Sequence, residues 1–140
     1  MLTLTRKHRL LSGHSKLMER KKPSETYLAY LAGLFDGEGH VSVRKQKKRN
    51  TSNGRTYKCW DIRAEISMTH EETIKYIRNI LGFGSFNHRL PIKSWVGKQP
   101  QWRMRFSNHD TWLLAKWLHP YALTKKLEWE KVLNHYDYAA

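Results

Sequence analysis

Only one cysteine, Cys59, occurs in the 140 residues. That excludes an intramolecular disulfide and a cysteine-based zinc site, and it fits an intracellular, reducing compartment (bacterial or phage-host cytoplasm, or an organelle) rather than secretion. Acidic side chains are also scarce: 12 Asp and Glu stand against 26 Lys and Arg, for a net charge of +14. The imbalance points to an extended polyanion as partner, most simply nucleic acid. An anionic membrane surface is the rival. No apolar run approaches the roughly 20 residues of a spanning helix, and no basic amphipathic helix dominates, so no membrane partner is expected. Histidines are too scattered for zinc spacing. No Ser/His/Asp or Cys/His arrangement offers a protein nucleophile, and no small-molecule cofactor is implied.

Six Trp and seven Tyr supply a bulky core and contact surface. The chain divides into a basic, flexible N-terminal extension over 1–23 and a single domain over 24–140. The extension carries Arg6, Lys7, Arg9, Lys16, Arg20, Lys21 and Lys22, with Glu19 its only acid. It reads as a loose tail, as an arm lying on phosphates, or as an organellar transit peptide. Pro23-Ser24 closes it and offers an N-cap.

The patterning predicts an α+β fold in the order α-β-β-α-β-β-α(α). A helix is expected from about Glu25 to Phe35 and a strand over His40–Arg44. A basic, turn-rich loop follows, with the hairpin signal Asn53-Gly54. The second strand is Tyr57–Ser67, with Trp60, Ile62, Ala64 and Ile66 on one face. A Thr69/Glu72 capping box opens the second helix, which carries the apolar stripe Ile74, Ile77, Leu81 and ends at Gly82 and Gly84. Strands over 85–90 and 101–107 are separated by the loop "PIKSWVGKQP". Asn108 caps a third helix that Pro120 stops, and Thr124 opens a fourth. A four-stranded sheet with helices on one face is the simplest packing.

The outward positions of that sheet are polar: Ser42, Arg44, Gln46 and Lys48; Asp61, Arg63, Glu65 and Ser67; Asn87 and Arg89; Arg103 and Arg105. These are side chains that meet base edges and phosphates. Asp61 and Glu65 either read cytosine amino groups or orient neighbouring arginines. An ordinary solvated sheet face is the bland alternative.

The stretch "YLAYLAGLFDGEGHVSV" is the most informative. On a helix, Leu28, Leu31 and Phe35 share one face, while Ala29, Gly33 and Gly37 fall roughly opposite. Glycine inside a helix costs about 1 kcal/mol against Ala, so a compensating close approach is expected. A second copy of the chain related by a two-fold axis would supply it. The dimer surface is then Ala29, Gly33, Asp36 and Gly37. Asp36 and Glu38 add negative charge to a helix end that is already negative. Paired across an axis, such carboxylates and carbonyls make hard oxygen ligands for Mg²⁺. The bland reading is a glycine-rich turn with solvated acids.

"LAGLFDGEG" at 31–39 resembles the signature of the LAGLIDADG homing endonucleases, and the element order matches over about 25–138. Leu31, Ala32, Gly33, Leu34, Asp36 and Gly39 agree with it outright. The resemblance implies an antiparallel saddle-shaped sheet in the DNA major groove. One motif per chain implies a homodimer on a long palindromic or near-palindromic duplex. It implies metal-dependent phosphodiester hydrolysis across the minor groove, leaving short 3′ overhangs, with Mg²⁺ as cofactor and Mn²⁺ as substitute. Glu38 corresponds to the metal-binding acid, with the Gly37 carbonyl as a further ligand, and Asp36 to a helix-terminating residue. His70 corresponds to a polar residue that orders water, and Lys125 to a lysine that stabilises developing charge, with Lys126 beside it on DNA. The alternative from another class is a catalytically inactive DNA-binding regulator or RNA-splicing maturase on the same fold. A basic RNA-binding structural protein is the third.

Overall fold

The structure is a computed structural model that describes residues 20–90 and 99–138. Helix α1 (Glu25–Glu38) leads into strand β1 (Gly39–Arg49), which turns into β2 (Thr56–Met68). Helix α2 (Glu71–Leu81), strands β3 (Ser85–Arg89) and β4 (Gln101–Ser107), helix α3 (His109–Leu118), a 3₁₀ turn (His119–Tyr121) and helix α4 (Lys126–Tyr138) follow. The sheet is antiparallel throughout, in the order β1-β2-β4-β3. The α+β order expected from the sequence is the one observed.

One sheet face is apolar and covered by helices. Val41, Ile62, Ala64, Ile66, Met104 and Phe106 are buried against Leu28, Leu31, Phe35, Ile74, Ile77, Leu114 and Trp129. Phe35 meets Trp129 edge to face, with ring centroids 5.3 Å apart. Burial of these large side chains is the main favourable term in folding.

Helix ends differ from expectation in instructive ways. Ser24 caps α1 as expected, accepting from the Tyr27 amide. The helix does not stop at Phe35 but continues through Asp36, Gly37 and Glu38 and passes directly into β1. Gly39 is required there by space: a Cβ would lie 2.4 Å from Phe35 Cδ1 and 2.8 Å from Phe35 Cα. The Thr69/Glu72 capping box is not formed. His70 is the cap of α2, its ring accepting from the Thr73 amide, and Gly82 closes that helix in the left-handed region at φ 74°. Asn108 precedes α3 without a side-chain capping bond. Its own amide instead donates to the Ile62 carbonyl at 2.8 Å, tying α3 to β2. The last helix begins at Lys126, not Thr124.

The first hairpin is longer than expected, since β1 runs on to Arg49 and absorbs half of the basic loop. The chain reverses in a loop over 50–55 that contains Asn53-Gly54, with Gly54 at φ 71°, and not in a two-residue turn at that pair. Trp60 lies beyond the core and is half exposed, packing on His135 of α4. Of the extension expected to be flexible, residues 1–19 lie outside the described residues. Arg20 is docked: it pairs with Asp110 of α3 and stacks over Phe83. Residues 91–98 of the "PIKSWVGKQP" loop also lie outside the described residues.

Phe35→Ala should lower the unfolding free energy by about 3–5 kcal/mol, measured by urea titration. A loss below about 1 kcal/mol would show that α1 is not the keystone of this core.

Candidate nucleic-acid interface and acidic centre

Strand pairing arranges the uncovered sheet face into rows. Ser42, Arg63 and Ser107 lie side by side, and Arg44 lies opposite Asp61. His40, Glu65, Arg105 and Ser85 form another row, and Ser67, Arg103 and Asn87 the next, with Arg89 opposite Gln101. Gln46 and Lys48 continue along the protruding hairpin, opposite Cys59 and Tyr57. All the residues expected on this face are on it. His40, Ser85, Gln101 and Ser107 were not among them, although strict alternation carried to the strand ends identifies all four.

The acids on this face orient cations. Asp61 accepts from Arg44 at 3.3 Å and Gln46 at 3.0 Å, and pairs with Arg63 at 3.4 Å. Glu65 accepts from Arg105 Nε at 3.2 Å, and Asn87 from Arg103 Nε at 3.1 Å. Of the two roles open to Asp61 and Glu65 in the sequence, orientation of arginines is therefore occupied in the free protein. The Arg63 Nε is buried without a hydrogen-bond partner. Burial pushes the Arg103 guanidinium below its ordinary value, and repulsion from Arg105, Arg89 and Arg63 adds to this against the pull of Glu65. Crowded cations of this kind favour an incoming polyanion.

The acidic centre lies where α1 meets β1. Leu28, Leu31, Ala32 and Phe35 are fully buried on one side of α1. Ala29, Gly33, Gly37 and Glu38 are exposed on the other, and a Cβ added to Gly33 or Gly37 would meet nothing within 4 Å. Tyr30, 48% exposed, belongs to the same uncovered side.

The two acids are used differently. Asp36 does not terminate its helix, and its carboxylate is spent inside the chain. One oxygen accepts from the Leu123 amide and the other from the Lys125 amide, each at 2.9 Å. Glu38 makes no hydrogen bond or ion pair among the described residues. Its donor set suits a hard cation: a free carboxylate beside the last carbonyls of a helix. Among the described residues, no group of three or more His, Cys, Asp or Glu could hold a metal ion. Further oxygens would have to come from phosphate, water or a second chain.

Lys125 precedes α4 and is brought to α1 through the Asp36 bond. Lys126 opens α4 and is exposed. His70 lies past the end of β2, at the sheet end where Gly39 pairs with Ile66. Its Nδ1 is engaged by Thr73, at 3.3 Å from the amide and 2.7 Å from the hydroxyl. The Lys125 backbone is thus tied to Asp36, two residues before Glu38, whereas His70 is held by its own helix.

A model of the LAGLIDADG endonuclease family matches residues 31–134. Similar solved structures include the homing endonuclease I-CvuI in complex with the I-CreI target, at TM-score 0.62 and 16% identity, covering 79% of this chain and 65% of that one. The archaeal intron-encoded homing endonuclease I-Vdi141I, complexed with DNA, matches at TM-score 0.59 and 18% identity, over 77% of this chain and 65% of that one. The LAGLIDADG meganuclease I-CpaMI, bound to uncleaved DNA, matches at TM-score 0.55 and 19% identity, over 80% and 37%. At these identities the likeness is one of fold.

His70→Ala should destabilise the chain by about 1 kcal/mol through loss of the α2 cap. His70→Asn, which keeps an acceptor, should recover most of that in thermal denaturation. Equal losses in both variants would contradict the capping role.

Proposed function

The chain belongs to the LAGLIDADG endonuclease family, and on that premise we propose that it is a site-specific DNA endonuclease. It acts as a homodimer on a long palindromic or near-palindromic duplex. The observation that carries this reading is the unspent Glu38 carboxylate, fixed at the end of a helix whose outer side is bare. A pure binding module has no use for an exposed acid placed against a helix's negative end beside a basic surface.

Two copies meet through Ala29, Gly33 and Gly37, where the absence of side chains lets helix backbones approach closely. The pairing aligns the two sheet faces along one duplex. Arg44, Arg63, Arg89, Arg103 and Arg105, with Lys48 and Lys126, neutralise phosphates. Gln46, Asn87, Ser42 and Ser67 offer hydrogen bonds to base edges in the major groove.

Glu38 and the Gly37 carbonyl would hold Mg²⁺, for which Mn²⁺ would substitute; such a cation would supply polarisation of the scissile phosphate and a lowered pKa for water. Lys125 offsets the negative charge that develops at phosphorus. His70, with Nδ1 committed to its cap, has Nε2 left to orient solvent. Cleavage across the minor groove leaves short 3′ overhangs. The homing endonuclease I-CvuI, solved with DNA in the presence of Mg and with its target in the presence of Ca, supports a divalent cation at such a centre.

A duplex recovered from a randomised library by selection for binding in Ca²⁺ should be cut when Mg²⁺ replaces Ca²⁺. Glu38→Gln should bind that duplex with unchanged affinity and fail to cut it. If about six phosphates are neutralised, log K should fall with log salt at a slope of about −5. Tight binding by the wild type with no cutting in Mg²⁺ or Mn²⁺ would favour an inactive regulator or splicing maturase. A slope near zero would contradict polyanion binding altogether.

A further inference from the structure

We propose that Asp36 is a positioning residue, whose carboxylate sets the segment carrying Lys125 against the helix end that carries Glu38. The inference rests on the reading of Glu38 and Lys125 as the cleavage centre. Its physical basis is independent of that reading. Asp36 and the segment it holds are 87 to 89 residues apart in sequence, yet both carboxylate oxygens are engaged there at 2.9 Å. Two acceptors on two amides two residues apart fix both the position and the orientation of the segment, as a single bond would not.

The electrostatics favour the same arrangement. A carboxylate at the C-terminal end of α1 is poorly placed, but the same carboxylate lies at the N-terminal end of α4, where negative charge is stabilising. Lys125 accepts the first bond of α4 from the Trp129 amide at 3.0 Å. Lys125 and Lys126 put two cations at that end, and Asp36 offsets them. The segment has few other anchors: Leu123 is 84% exposed and Thr124 is exposed. The Ala122 amide is held by Leu118 and His119, while the Leu123 and Lys125 amides are held by Asp36.

Asparagine is the informative substitution. It keeps an acceptor at only one of the two terminal positions, and its NH₂ would face the other donor. Asp36→Asn and Asp36→Ala should raise hydrogen exchange at the Leu123 and Lys125 amides by about tenfold or more. On the selected duplex, Asp36→Ala should slow single-turnover cleavage at saturating DNA and Mg²⁺ by about a hundredfold, the size expected for a group misplaced by about 1 Å. Its affinity for DNA in Ca²⁺ and its sedimentation should stay as in the wild type. Lys125→Ala should also cut slowly, and adding Asp36→Ala to it should slow cutting no further. Three results would overturn the proposal: undiminished slowing by Asp36→Ala in the Lys125→Ala background, loss of DNA affinity in step with rate, or unchanged exchange at the two amides. A wild type that cuts no duplex, with the amides still deprotected in the variants, would sink the nuclease reading and leave the anchoring of the segment intact.

Discussion

No residue separates α1 from β1, and most of what the molecule offers follows from that junction. The helix ends at Glu38 and the edge strand starts at Gly39. Phe35 lies so close to Gly39 that any side chain there would collide with it. The fully buried Phe35 ring is in turn fixed by Trp129. Glu38 therefore sits at the meeting point of two rigid elements, with no loop to move it. A group held in this way needs little reorganisation to take up a ligand.

The same helix presents two unlike surfaces. Its inner side is bound to the sheet by Leu28, Leu31, Ala32 and Phe35, all fully buried. Its outer side is close to bare backbone at Ala29, Gly33 and Gly37, with the Tyr30 ring beside them. Glycines there weaken an isolated helix by about 1 kcal/mol each relative to alanine, and nothing among the described residues packs against Gly33 or Gly37. On the sheet, arginines are crowded and held in place by Asp61, Glu65 and Asn87. Half-buried ion pairs still in contact with solvent, as these are, add little stability. Their stronger consequence is that guanidinium groups are aimed before a ligand arrives.

The sequence showed the elements with strong local codes. Period-two alternation placed most of the polar face, missing only residues near the strand ends, and the buried stripe of α1 appeared from spacing alone. The resemblance over residues 31–39 then named the fold. Misreadings occurred where tertiary contacts outweigh local rules. Gly37 and the two acids read as a helix stop, yet packing against the sheet carries the helix through them. A Thr and a Glu with capping-box spacing lost to a histidine one residue on. Asp36 looked like part of a charged helix end. Its partners are Leu123 and Lys125, and no local pattern can announce a bond across 87 residues. The Arg20 pairing with Asp110 was hidden for the same reason.

The central claim is that the bare side of α1 faces its own copy. The most direct measurement is disulfide trapping of Gly33→Cys in a Cys59→Ser background under mild oxidation. Backbones close enough for Cα atoms to approach within about 7 Å can be bridged. The account predicts rapid, nearly complete conversion to a covalent dimer at low micromolar protein that still binds duplex DNA. A chain that stays uncrosslinked on DNA under the same oxidation, with its thiol accessible to alkylation, would contradict it.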